Sequence, residues 1–168
     1  LRLLELTLAN GADVRSLDSF DGTGLIRAAE RGHDDVVGRL VQTPVDLDHV
    51  NNLGWVALHE AIILGNGSQR YVDTVRVLVA AGADLQVPSV RDGVQPLQHA
   101  ASAGHAGIVA TLGAGLSENV APKDADAAML RAAEAGDADG VAVALRAGAG
   151  IEERDDRERT ALLIAATE

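Results

Sequence analysis

The stretch Leu97-Gln98-His99-Ala100-Ala101-Ser102-Ala103-Gly104-His105 recurs along the chain in altered copies. Leu25-Ile26-Arg27-Ala28-Ala29, Leu58-His59-Glu60-Ala61-Ile62, Met129-Leu130-Arg131-Ala132-Ala133 and Leu162-Leu163-Ile164-Ala165-Ala166 align with its first five residues. The leading residues are spaced 33, 39, 32 and 33 apart. Seven residues after the leading residue stand Gly32, Gly65, Gly104 and Gly136, the first and third followed by His33 and His105. Further on come Gly11-Ala12-Asp13, Gly82-Ala83-Asp84 and Gly148-Ala149-Gly150, with Pro44-Val45-Asp46 and Leu116-Ser117-Glu118 as degenerate versions. Several motifs in phase at one period mark a single supersecondary unit copied along the chain.

Each unit reads as two helices. Thr23, Gln95 and Thr160 stand where an N-cap belongs, and Pro96 occupies the favoured first helical position. Paired alanines let the first helix approach its neighbours, and the following glycine ends it in a left-handed turn. A second helix follows, with Val36-Val37 and Leu40-Val41, then Val75, Leu78 and Val79, then Ile108-Val109 and Leu112, then Val141, Val143 and Leu145. Spacings of three and four place these on one buried face. Composition agrees: 47% of residues are hydrophobic but only 2% aromatic, so the apolar mass is small aliphatic side chains. Thin layers of that kind suit a solenoid better than one thick core.

This pattern resembles the ankyrin repeat, whose motif runs Thr-Pro-Leu-His-x-Ala-Ala, then Gly-His, then Gly-Ala-Asp, and the Ala- and Gly-rich text is similar to bacterial members. The resemblance covers nearly all of the chain. It implies an all-α solenoid of stacked helix-turn-helix units with β-hairpin fingers at right angles. Four complete repeats (18-50, 51-89, 90-121 and 122-154) would be flanked by partial ones (1-17 and 155-168). The implied function is a non-catalytic protein–protein interaction scaffold, its partner held on a concave groove of finger tips and first helices. Carried over by register, the partner-facing positions are Phe20, Arg31, Leu53, Trp55, Ile63, Leu64, Arg91, Asp92, Val94 and Asp126. The only Trp and the only Phe fall among them, and apolar groups gathered on a surface mark a recognition site. The competing account packs Ile63 and Leu64 beneath the neighbouring insertion and uses Trp55 to cover a finger. A regulatory or targeting segment of a larger protein, an enzyme included, is the alternative function.

The pattern breaks in three places. Gly65 to Gly82 spans 17 residues where Gly136 to Gly148 spans 12, so Asn66–Tyr71 holds five extra residues. They read as a lengthened loop, either tolerated because loop closure is cheap or part of the binding face. Val56-Ala57 and Ala127-Ala128 replace the capping pair. Leu116 replaces a terminating glycine, with Gly113 and Gly115 just before it, which predicts the loosest joint there.

Other chemistries find little support. Twenty-five acids against 14 bases give a formal charge of −11, wrong for neutralising phosphates, so nucleic acid is not an expected partner. Cysteine is absent, and no apolar run approaches the roughly 20 residues that span a bilayer. A cytoplasmic chain, or a periplasmic one after loss of a signal peptide, fits equally. His33, His59 and His105 fall on motif positions whose family role is to bond backbone groups between repeats. His49 and His99 have no such explanation, and neither has a carboxylate at ligand spacing. No phosphate loop, nucleophile elbow or zinc motif occurs, so no cofactor, metal or catalytic site is expected. A monomer is expected, with self-association through the uncapped Leu162–Ile164 end as the rival.

Overall fold

The computed structural model describes residues 1–117 and 119–167; Glu118, part of the degenerate terminator, and Glu168 lie outside them. Ten α-helices occur among the described residues. They are α1 (Arg2–Ala9), α2 (Gly24–Glu30), α3 (Asp34–Leu40), α4 (Ala57–Ile63), α5 (Gln69–Ala81), α6 (Pro96–Ser102), α7 (Ala106–Ser117), α8 (Ala125–Glu134), α9 (Ala138–Arg146) and α10 (Ala161–Ala165). Antiparallel hairpins form from α2/α3, α4/α5, α6/α7 and α8/α9. The first helices α2, α4 and α6 lie side by side, and behind them run α3, α5 and α7. Between the two rows sit Leu25, Ile26, Leu58, Ile62, Leu78, Ile108 and Leu112, all essentially removed from solvent. The expected buried faces of α3, α5 and α7 therefore supply the core, whereas on α9 Val143 is buried beside Ala142 and Ala144 and the expected Val141 and Leu145 are only half-buried.

The caps follow side-chain chemistry. Thr23 and Thr160 accept from the Ile26 and Leu163 amides, each at 3.3 Å. Gln95 makes no such bond; Gln98 Oε1 instead accepts from the Gln95 amide at 3.1 Å. At uncapped α4, the His59 ring takes the Val56 amide at 3.4 Å, so a side chain inside the helix partly replaces the missing hydroxyl. The helix α8 begins at Ala125, after a 3-10 turn at Pro122–Asp124, and has no side-chain cap.

The fingers are turns without strands. Each closes on two backbone bonds: the amides of Asp18, Asn51, Ser89 and Asp155 donate to the carbonyls of Gly22, Trp55, Val94 and Arg159, and the same four residues' carbonyls accept from Asp21, Gly54, Gly93 and Glu158. The only bridge outside helices among the described residues is Arg154 with Thr160. Four- and five-residue excursions leave no room for the ladder that a β-hairpin needs. The finger from Ser89 to Val94 is one residue longer than the others, which accounts for the sixth extra residue in the 39-residue spacing.

Only the first half of the insertion, Asn66-Gly67-Ser68, is the loop that was expected; Gln69-Arg70-Tyr71 is helical. Ser68 starts a helix at Gln69, so α5 has 13 residues where α3 has 7 and α9 has 9. Tyr71 is buried at 6% exposure, and its hydroxyl donates to the Glu30 carbonyl at 3.2 Å. Its ring lies against Gly32 and Gly65, where a Cβ would meet it at 3.0 and 2.7 Å. The added residues thus tie the α4/α5 hairpin to the end of α2.

The stack changes course after α7. That helix runs through Gly113 and Gly115 to Ser117. A Cβ at Gly115 would meet Leu85 at 2.7 Å and Val79 at 3.1 Å, so its bareness lets α7 sit close to α5. The helix α9 packs on α5 as well as α7, and α8 does not take the next place beside α6. Asp139 accepts from Arg76 of α5 at 2.7 Å and from Thr111 of α7 at 2.9 Å. Arg146 Nη1 donates to the Ala83 carbonyl at 2.7 Å and the Val79 carbonyl at 3.3 Å, satisfying the end of α5. The final hairpin and α10, which lies beside α8, are folded against the back of the array.

Candidate functional site

An aspartate, asparagine or serine starts each finger, a choice that sequence reasoning did not exploit. Asp18 Oδ1 accepts from the Phe20 amide at 2.8 Å and the Gly22 amide at 3.0 Å. Thirty-three residues on, Asn51 Oδ1 accepts from Leu53 at 3.0 Å and Trp55 at 3.1 Å. Asp155 serves Arg157 and Arg159 the same way. The recurrence of Asp18, Asn51, Ser89 and Asp155 seven or eight residues before the leading Leu was the available signal. At the turn itself, Asp21 and Glu158 adopt φ of 57° and 60°, where Gly54 and Gly93 stand in the other two fingers.

Consecutive fingers are joined by backbone bonds. The Asn52 amide donates to the Phe20 carbonyl and the Val90 amide to the Gly54 carbonyl, both at 3.0 Å. His49 Nε2 lies 2.7 Å from the Asp21 carbonyl. That bond corrects the expectation for histidine: the unexplained finger residue links two repeats, whereas His33 is exposed without a side-chain bond and His59 serves its own helix.

The candidate residues separate into groups. Phe20 and Leu64 are half exposed, at 51% and 50%. Arg31, Arg91 and Asp92 are exposed, and Leu53, Trp55, Ile63 and Val94 are half-buried. Arg27 lies over the Phe20 ring at 5.1 Å while pairing with Asp18 and Glu30. Asp92 closes its own turn by accepting from the Val94 amide at 3.0 Å, and that backbone bond holds its pKa below the ordinary range. Trp55 buries its Nε1 without a hydrogen-bond partner. Asp126 stands apart, because α8 leaves the row of α2, α4 and α6; its carboxylate accepts from the Gly150 amide at 2.7 Å.

Beneath the fingers lies Glu60, fully buried in α4 and 33 positions after Arg27. Its Oε1 accepts from Asn51 Nδ2 at 2.5 Å, while Oε2 has no partner. Burial pushes its pKa upward against the opposing bond from Asn51. Among the described residues, no three His, Asp or Glu side chains converge as a metal would require. No described helix is long and apolar enough to cross a membrane.

A family model described as ankyrin repeats (3 copies) matches residues 1–89, more than half of the chain. The chain belongs to the ankyrin repeat family. The ankyrin repeat protein YahD of Escherichia coli (strain K12) is 34% identical over 107 residues, which cover 62% of this chain and 52% of YahD. The nuclear factor NF-kappa-B p105 subunit of Rattus norvegicus is 30% identical over 94 residues, 54% of this chain and 9% of that protein. Among solved structures, an ankyrin repeat domain from Acinetobacter baumannii AYE superposes with a TM-score of 0.66 at 46% identity, covering 70% of this chain and 60% of that one. The ankyrin repeat protein EF0377 gives 0.61 at 30% identity, with 70% and 57% covered. The matches thus take in about half of YahD and three fifths of the solved ankyrin chains. Ankyrin repeats generally mediate protein–protein interaction.

Proposed function

We propose that this chain is a non-catalytic scaffold that holds a protein partner where the three fingers starting at Asp18, Asn51 and Ser89 meet the ends of α2 and α4. One observation carries the reading. Phe20, Leu53, Trp55 and Val94 keep part of their apolar surface in solvent on fingers fixed to one another by main-chain bonds, and Leu64 does so at the end of α4. Val90, 74% exposed, adds to them. Apolar groups on a rigid frame bind at low entropic cost, because the frame is ordered before the partner arrives. Arg31, Arg91, Asp92 and Ile63 border the patch and would set its selectivity, whereas Asp126 lies outside it. Helix pairing supports repeats at 18-50, 51-89, 90-121 and 122-154 between partial units 1-17 and 155-168.

Affinity capture with the natural chain and with Phe20→Ala combined with Leu64→Arg tests this. Both sites are half exposed, so thermal melting should move little while the captured partner weakens at least tenfold. Recovery of the same proteins at equal strength refutes the patch.

A further inference from the structure

We propose that the joint between the second and third hairpins is a proton-operated hinge, in which the uncharged His59 ring of α4 packs against His99 of α6 and forces the joint open once it is protonated. The device is independent of any partner.

His59 has 0% exposure on α4, and the side chain of His99 on α6 is 17% exposed. Their rings meet edge to face at 88°, with centroids 5.7 Å apart, directly across the joint. Each has a buried Nε2 without a hydrogen-bond partner. The Val94 backbone faces His59 and, with Asp92, favours its charged form, but it stops short of a full hydrogen bond to Nε2. The charge facing the pair is Asp92, whose Oδ1 is 3.6 Å from His99 Nε2, beyond hydrogen-bonding distance, and whose side chain is 47% exposed. One half-exposed carboxylate gives little compensation to a buried imidazolium at His59.

Charges on the other elements are engaged elsewhere. Glu60, on the same helix as His59, turns to Asn51 and faces Arg27, Glu30 and Asp18 from the α2 side. On α5, Arg70 stacks on Tyr71, and Asp73 pairs with Arg76, which reaches Asp139. A proton on His59 is therefore a buried cation packed against the His99 ring, and separation of α4 from α6 is the relief open to it.

Burial first, and His99 second, hold the His59 pKa down to about 4, from an ordinary value of 6.5. The closed joint thus keeps the ring neutral, and the open joint binds the proton. Stability at the joint is complete above pH 6.5, is lost as pH falls toward 4, and changes no further below that. Linkage between those two values favours opening about twenty-fold more at pH 5 than at neutral pH. Glu60 has the opposite sense, since its raised pKa makes the folded form take up a proton first. Whole-chain melting partly cancels the two effects, so the readout must be local.

Amide hydrogen exchange of the whole chain, resolved by peptide and corrected for intrinsic rates, is compared at pH 7.5 and pH 5.0. Peptides across α4 and α6 should lose protection by more than tenfold at pH 5.0, while α2 peptides lose less. His59→Gln should abolish the difference. Uniform loss along the chain, no loss, or an unchanged loss in His59→Gln overturns the hinge. If that variant does not fold, proton NMR of the natural chain decides. A His59 ring titrating well below 6.5 together with loss of α4 protection supports the hinge, and a midpoint near 6.5 with protection intact refutes it.

Discussion

Replacing Tyr71 by alanine removes the side chain through which the extra turns of α5 grip the preceding hairpin. The ring is 6% exposed and faces two glycines, Gly32 and Gly65, neither of which has a side chain to collapse into the space. Loss of a buried aromatic typically costs ~3–5 kcal/mol, the upper part of that range applying where the walls cannot relax. The hydroxyl bond to the Glu30 carbonyl is separable, because Tyr71→Phe removes it alone and should cost about 1 kcal/mol. Urea unfolding followed by circular dichroism at 222 nm, with midpoint and slope both fitted, measures the three proteins side by side. The order natural, Phe, Ala, with the second step much larger than the first, is the expected outcome. An alanine variant within about 0.5 kcal/mol of the natural chain, the ordinary range for a surface position, would mean that the insertion is an unattached excursion after all.

Two further substitutions probe the fingers. The ionised form of Glu60 is penalised by burial, so its contribution becomes less favourable as pH rises from the unfolded value of 4.5 through the raised folded one. Glu60→Gln keeps an acceptor for Asn51 and should therefore stabilise the chain more at pH 8 than at pH 5, as read from urea midpoints at each pH; an equal gain at both contradicts the buried-acid account. Glu158 sits at φ 60° with an exposed side chain, and its bonds within the finger use only its backbone, the amide donating to the Asp155 carbonyl and the carbonyl accepting from Arg154. Glu158→Gly should raise stability by up to about 1 kcal/mol in thermal or urea melts, and a loss would show that the left-handed backbone costs nothing there.

The helices and their buried faces were legible because a period near 33 repeats both the caps and the aliphatic spacing. Leu25, Leu58, Leu78 and Leu112 sit in the core for the reason their spacing suggested. What could not be read concerns competition between local signals and packing. Asn66-Gly67-Ser68 reads as loop and is one, yet the rest of the insertion, Gln69-Arg70-Tyr71, lengthens α5, and Tyr71 supplies the burial that holds it. Gly113 and Gly115 look like terminators but remain helical, because Leu85 and Val79 press on the bare face of Gly115. The candidate surface was partly legible: Phe20, Leu53 and Leu64 reach solvent as register implied, and Asp126 is separated from them by the turn in the stack. No periodic signal encodes that turn, since it depends on a salt bridge between residues 63 apart, Arg76 and Asp139.

The docking of α9 onto α5 alters how the array comes apart. A row of units that touch only their immediate neighbours can fray from either end, one unit at a time, with free energies that add. Here a later unit is clasped to one two places earlier, so peeling the sixth and seventh helices away cannot proceed while Arg146 still caps the carbonyls of Val79 and Ala83. The chain is a closed buckle at that point, and its middle is shielded from piecemeal melting by a distant part of its own sequence.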